Sequence, residues 1–461
     1  ACATAGAAGV VLSGGLTFAP PAECKKMRSH PSRPGSTEKH RIVVVGGGSA
    51  GLSVAAQLMR KLGKERADLA VIEPAEYHYY RPSFTFAGAG IVPIERARRE
   101  MATVMPKGAH WIKAAVASFE PQHNAVVLAD GARIEYEYLV VATGMHADLG
   151  QIKGLEDAMR KGQACSIWTY EGAPKVWQAV RELRRGTAIF TQPKLSRGCG
   201  GAPQKIMWLA DDWWRSQTLT RDDIHVEFVT GRDAMFPVAK YAKSLAEMAE
   251  SRGVDVRYHC ELVEVDGDNH LATFEDERGK RITRKYELLH VTPQMSAPHE
   301  IASSPLAAAN GFVDVEKHTL QHVVYENVFA LGDAANLPTS KTAAAITAQA
   351  PVLVHNLLAC SEAGNAGAKA KPAFAKYDGY SSSPILTKRG GLILAEFQYD
   401  GEPKETFPLW FDQSKEQSLL YNMHKGFFPW AYWNLMLTGR WYGPRGIFEP
   451  RLKFIDTWQM P

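Results

Sequence analysis

No unbroken apolar run reaches the length of about 18 residues that a membrane-spanning helix needs. The longest apolar segment, Ala343 to Ala359, is interrupted by Gln349, Pro351, His355 and Asn356, and is expected to be a buried core helix. Strong charge of one sign is missing too. A net +4 over 461 residues provides no electrostatic footprint for nucleic acid, and no such partner is expected. Cysteine is sparse: Cys2, Cys24, Cys165, Cys199, Cys260 and Cys360 lie far apart, with no C-x-x-C or metal-ligand spacing. That excludes a disulfide framework and leaves no metal site to expect. Acids are scarce in one place. The first 40 residues, rich in Ala, Gly, Pro and Ser, hold only Glu23 and Glu38 against Lys25, Lys26, Arg28, Arg33 and Lys39. Residues 1–40 therefore resemble a targeting remnant and linker, with Ala1 in place of Met agreeing with cleavage; a disordered tail is the alternative.

What is present begins with alternating strands and helices. Arg41 to Val45 is a continuous β-branched run, as in a parallel strand buried on both faces. Gly46-Gly47-Gly48-Ser49-Ala50-Gly51 follows it and opens a helical pattern through Leu52, Ala55, Leu58 and Leu62. A second strand, Leu69 to Ile72, ends at Glu73, 22 residues past Gly51. In this βαβ unit Gly46 permits the tight turn, Gly48 lets the backbone approach a pyrophosphate, and Gly51 lets helix and strand pack. The helix N-terminus faces the phosphates, and Glu73 is placed to accept bonds from the ribose hydroxyls.

Two later segments favour FAD over NAD. Tyr138 to Gly144, with Thr143 and Gly144 at its turn, resembles the strand-and-turn that flavoproteins with two dinucleotide folds place beside the cofactor. Asn327 to Asp333, with Gly332, resembles the segment whose Asp bonds the flavin's ribityl chain. A second α/β unit starts near Gly186, but no G-x-G-x-x-G follows strand Thr187–Thr191; the loop reads Gln192 to Gln204 without it. A second nucleotide, and with it a type II NADH dehydrogenase, is not expected. Instead Cys199 stands just before a helix beginning near Pro203, where the helix N-terminus, Arg197 and Lys205 would favour its thiolate. It is either a redox thiol facing the flavin or an inert loop cysteine.

Cys199-Gly-Gly-Ala-Pro-Gln-Lys-Ile-Met207 resembles the sulfide:quinone oxidoreductases of the eukaryotic, mitochondrial type. Leu289 to Met295, Asn336 to Ala345, Lys376 to Tyr380, Ile393 to Phe397, Glu405 to Pro408 and Asp412 to Glu416 continue the resemblance, which spans about residues 40 to 450. It implies two Rossmann-like, doubly wound α/β domains and a C-terminal aromatic-rich membrane-associating segment. The implied divisions are 41–150 and 301–372 for the FAD domain, 151–300 for the second domain and 373–461 for the membrane-associating region. It also implies FAD as cofactor, sulfide and a membrane quinone as substrates, and a small thiol or sulfite as sulfur acceptor. The implied location is the mitochondrial inner membrane, peripheral or monotopic, with contact to lipid and a place in a respiratory complex as a further partner.

By the same resemblance Cys199 works against the flavin, and Lys341, Thr342, Ala343 and Ala344 lie along it. Asp333 sits on the ribityl chain, Arg81 occupies a flavin-side position, and Val116 joins the cofactor-binding set. One position departs. The family's second cysteine falls in a Tyr-x-x-Cys-Pro string, and this chain has Tyr380-Ser-Ser-Ser383-Pro384. A hydroxyl can neither bridge to Cys199 nor carry a sulfane sulfur. Three outcomes follow: a one-cysteine route, a substitute thiol such as Cys165, or a catalytically impaired flavoprotein serving as a structural or regulatory subunit of a respiratory membrane assembly. At the C-terminus Phe427, Phe428, Trp430, Tyr432, Trp433, Trp441 and Tyr442 are interleaved with Lys425, Arg440, Arg445 and Arg451. That composition suits the headgroup level of one leaflet; cover for an internal core is the alternative.

Overall fold

The computed structural model describes residues 35–63, 67–195, 198–217, 220–366 and 373–449. Most of the 1–40 segment and Arg197 lie outside them, as does Arg451. The first strand, β1 (Thr37–Val45), is followed by α1 (Ser49–Leu62), β2 (Leu69–Ile72), α2 (Pro82–Gly88), β3 (His110–Ile112) and β4 (Arg133–Val141). Parallel β3, β2, β1 and β4 lie side by side, and Ile42 to Val45 are buried in the core. Strand β1 begins four residues earlier than the apolar run suggested. Its polar start, Thr37 to His40, is held in register with Arg133 to Tyr136, so pairing overrides the lack of apolar residues there. An antiparallel hairpin, Val116–Glu120 with Ala125–Leu128, flanks the start of β4.

The second unit is a parallel sheet of β5 (Gly186–Gln192), β6 (Ile224–Thr230), β7 (Val254–Arg257) and β8 (Leu288–His290), in the order β7-β6-β5-β8. Helices α3 (Ala202–Ser216) and α4 (Ala239–Ser251) connect its strands. The chain then returns to the first sheet as β9 (Val328–Ala330), alongside the end of β4, and continues into α5 (Ala343–Ala366). Helix α5 is long and apolar enough to cross a membrane, yet most of it is buried; Leu353, Val354 and Leu357 pack into the core with Leu52, Ala55 and Leu58 of α1.

The region from Ala373 onward is not uniform. It opens with an antiparallel hairpin, β10 (Ser381–Lys388) and β11 (Gly391–Phe397), turning at Arg389-Gly390. Ile385, Leu386, Leu392 and Leu394 of that hairpin join the core of the second domain. Short helical turns follow between Ser418 and Met436. Their aromatics divide. Tyr432 and Trp433 are buried in the core of the first domain, whereas Trp430 is half exposed and Phe427 is 39% exposed.

Candidate active site at the carboxyl ends of two sheets

The glycine loop, Glu73, Thr143-Gly144 and Gly332-Asp333 all follow the carboxyl ends of parallel strands of one sheet, so the topology gathers them. Gly46 sits at φ +105°, and a Cβ there would stand 2.4 Å from the Ala142 carbonyl oxygen. A Cβ at Gly51 would stand 1.8 Å from the Gly46 oxygen, whereas one at Gly48 would meet nothing within 4 Å. Gly48 thus faces open space at the start of α1, whose first turn has no side-chain cap. Such a turn leaves backbone N–H groups for an anion.

The Glu73 carboxylate accepts the Gly47 N–H at 2.6 Å and the Ala75 N–H at 2.8 Å. Burial nonetheless raises its carboxyl above the ordinary range. Gly332 packs on Ala50 and donates its N–H to Gln349 at 2.8 Å. Burial also raises the Asp333 carboxyl, against the lowering charges of Lys341 and Arg81. The Thr143 hydroxyl is buried with no hydrogen-bond partner among the described residues. An open cradle at Gly48 and an orphaned hydroxyl at Thr143 fit a bound dinucleotide.

Lys341 donates to the Ala335 carbonyl at 2.5 Å and lies 5.1 Å over the Phe312 ring. The Thr342 hydroxyl caps α5 by accepting the Ala345 N–H at 3.0 Å, and it pairs with the Ser381 hydroxyl at 3.0 Å. Ala343 and Ala344 form the first turn of α5. Val116 is half-buried and opens the outer hairpin strand. Arg81 is exposed at the start of α2.

Strand β10, tied to α5 through Ser381 and Thr342, brings Ser383 to Cys199. The Cys199 Sγ and Ser383 Oγ atoms are 3.0 Å apart, with Ser383 fully buried and Cys199 partly so. Gly201 makes the approach possible, because a Cβ there would come 2.7 Å from the Ile385 side chain. A cleft of about 260 Å³ opens at Gly198 and Gly200, the chain neighbours of Cys199, with Arg232, Phe312, Lys341 and Gln398 also in its wall. Cys165 is elsewhere in its bonding: its thiol is buried against the Leu289 carbonyl at 3.5 Å and burial pushes it up to about 12. A thiol so protonated is a poor nucleophile, which argues against Cys165 as the substitute partner. Lys205 is buried on α3, and its charge acts on His424.

Residues 40–192 match the family described as pyridine nucleotide-disulphide oxidoreductase. The chain is 45% identical to the mitochondrial sulfide:quinone oxidoreductase of Dictyostelium discoideum, over 89% of this chain and 88% of that one. The chain belongs to the sulfide:quinone oxidoreductase family. Its cofactor is FAD. The structure resembles the sulfide:quinone oxidoreductase of Aquifex aeolicus, with TM-score 0.70 and 19% identity over 86% of this chain and 92% of that one. It also resembles a chain in the Tetrahymena thermophila mitochondrial ATP synthase F1Fo tetramer, with TM-score 0.75 and 22% identity over 90% of this chain and all of that one. These two likenesses concern the fold.

Two features of the site escaped sequence reasoning. The β10–β11 hairpin was signalled only by apolar stretches around Arg389-Gly390. The contacts of Tyr432 and His78 with the glycine loop had no local signal.

Proposed function

We propose that the chain oxidises sulfide with Cys199 as its one working thiol and delivers the electron pair to a membrane quinone. The carrying observation is the Cys199–Ser383 contact of 3.0 Å beside an open cleft. Bound FAD, held by the glycine loop, Glu73, Thr143 and Asp333, supplies two-electron redox chemistry. Across the whole reaction sulfide loses two electrons and its sulfur passes to a thiol or to sulfite. With a thiol as acceptor, hydrogen sulfide, the thiol and the quinone combine in equal amounts to give a persulfide and a quinol. The quinone takes both electrons and both protons.

Cys199 serves as the sulfur-handling group. Ser383 cannot close a disulfide with it, but its hydroxyl donates to a Cys199 thiolate and fixes the direction of the sulfur. The cleft, with Arg232 and Lys341 in its wall, suits a small anionic acceptor such as sulfite. On the quinone side, α2, α3 and the C-terminal turns enclose Lys205 and His424. The His424 Nδ1 has no hydrogen-bond partner among the described residues, and Phe86 lies 5.2 Å from its ring. A carbonyl-bearing ring entering from lipid would find polar partners there.

On this reading the mitochondrial protein sits on the inner membrane, in one leaflet. Leu409 is 94% exposed and Trp410 83%, and Leu419, Trp430, Ile447 and Phe448 are further exposed apolar side chains between residues 409 and 448. Large exposed apolar side chains of this kind suit contact with a lipid surface. Anaerobic addition of sulfide to the FAD-loaded protein tests the reading. Bleaching of the flavin absorbance is expected. An unchanged spectrum would favour the impaired flavoprotein serving as a subunit of a respiratory assembly.

A further inference from the structure

The C-terminal turns run along the whole of α1, the helix that carries the glycine loop at its start. At the first turn the Tyr432 hydroxyl is 2.6 Å from the Ser49 hydroxyl. At mid-helix Gly439, at φ +70°, lies so close that a Cβ would stand 2.8 Å from the Gln57 nitrogen. At the last turn Lys61 pairs with Glu449 at 2.7 Å. Tyr432 has a second partner, the Nε2 of His78 at 2.5 Å, and the other ring nitrogen of His78 is 3.0 Å from the Gly47 carbonyl. Both ends of this chain of bonds therefore terminate on the phosphate loop.

The direction of every bond is forced. A carbonyl oxygen only accepts, so His78 Nδ1 carries a proton toward Gly47. Burial lowers His78 to about 4, so the ring is neutral and Nε2 is an acceptor. Tyr432 must then donate to Nε2, which leaves its oxygen to accept from Ser49. The one hydroxyl proton of Ser49 is thus committed to Tyr432, and its backbone N–H is the group it would offer to the phosphates. The aromatic surroundings fix the Tyr432 ring: Tyr80 is 4.5 Å away, and Trp433 is clamped under the Arg99 guanidinium at 4.4 Å.

We propose that the C-terminal segment is a latch on the FAD phosphate loop, with Tyr432 as the positioning residue that fixes Ser49 directly and Gly47 through His78. The proposal rests on the FAD assignment and is independent of membrane contact. The latch joins the part of the chain assigned to the lipid surface with the part that retains the cofactor.

The test is the rate of FAD release from the holoprotein, followed by the rise in flavin fluorescence on dilution. Tyr432→Phe keeps the ring and removes the hydroxyl, and it should release FAD on the order of tenfold faster. Ser49→Ala breaks only the Ser49–Tyr432 bond and should give a smaller acceleration, and the double variant should be no faster than Tyr432→Phe, which already breaks that bond. General loosening of the segment would not give that non-additivity. Tyr421→Phe, in the same segment but away from the loop, should release FAD at the wild-type rate. Release from Tyr432→Phe at the wild-type rate, or multiplication of the two effects in the double variant, would overturn the latch. Wild-type protein purified without any FAD would instead contradict the cofactor assignment on which the latch rests.

Discussion

Cys199 and Ser383 meet at 3.0 Å across 184 residues of sequence, sulfur to hydroxyl. A sulfur and a hydroxyl are thus in side-chain contact at the site, with no second sulfur at position 383 to bridge to Cys199. The position is buried and tied to α5 through Ser381 and Thr342, so the hydroxyl occupies a place the fold still builds.

A sulfur placed at position 383 should form a bridge to Cys199. A Ser383→Cys variant has its new thiol close enough to Cys199 that a side-chain rotation brings the sulfurs to bonding distance, about 2 Å. Thiol titration of the oxidised, unfolded protein should count one fewer free thiol than the wild type. Sulfide oxidation is expected to rise, on the order of tenfold. One additional free thiol and unchanged turnover would show that the backbone at β10 no longer supports a pair.

Gly51→Ala tests the phosphate loop. A Cβ 1.8 Å from the Gly46 oxygen forces the loop and α1 apart, at a cost of about 2 kcal/mol or more. The variant should be isolated largely without flavin and should unfold at a lower temperature than the wild type. Full flavin content would contradict the placement of the pyrophosphate.

Stability should fall on acidification from about pH 6.5. Burial holds His78 at about 4, and His290 and His424 at about 3. These rings stay neutral in the fold while the unfolded chain takes up protons below about pH 6.5, so the unfolded state gains on the way down. His78 alone costs about 3 kcal/mol by pH 4. Glu73 and Asp333, shifted up, act in the opposite sense at lower pH. Urea midpoints should hold level from pH 8 to about pH 7 and decline from about pH 6.5 to pH 5; a flat profile throughout would place these histidines in contact with water.

Charge at the exposed aromatic side chains should separate membrane binding from cofactor binding. Trp410→Glu with Trp430→Glu removes two exposed rings and should lower co-sedimentation with anionic vesicles roughly tenfold or more. Flavin content should stay at the wild-type level, because neither ring touches the phosphate loop. Unchanged sedimentation would leave these aromatics without a lipid role.

The parts of this site that were legible in the sequence are those built locally. Gly46 to Gly51 and Glu73 lie within one βαβ unit, where a strand, a turn and a helix constrain one another over some 30 residues. The start of β1 at Thr37 was not legible, since only pairing with β4 makes polar residues a strand. The Cys199–Ser383 contact was legible only through the family's motif, because nothing local in Tyr380 to Pro384 shows which loop it will face. Tyr432 illustrates a deeper limit. Aromatic residues suit both a lipid headgroup layer and a protein core, and composition cannot divide them. The fold buries Tyr432 and Trp433 against α1 and leaves Trp430 half exposed.

The most direct measurement is quinol formation by the FAD-loaded protein supplied with sulfide, sulfite and a short-chain quinone, compared between the wild type and Cys199→Ala. The account expects turnover in the wild type and none in Cys199→Ala at equal flavin content. No turnover in the fully flavinated wild type, or undiminished turnover in Cys199→Ala, would contradict it.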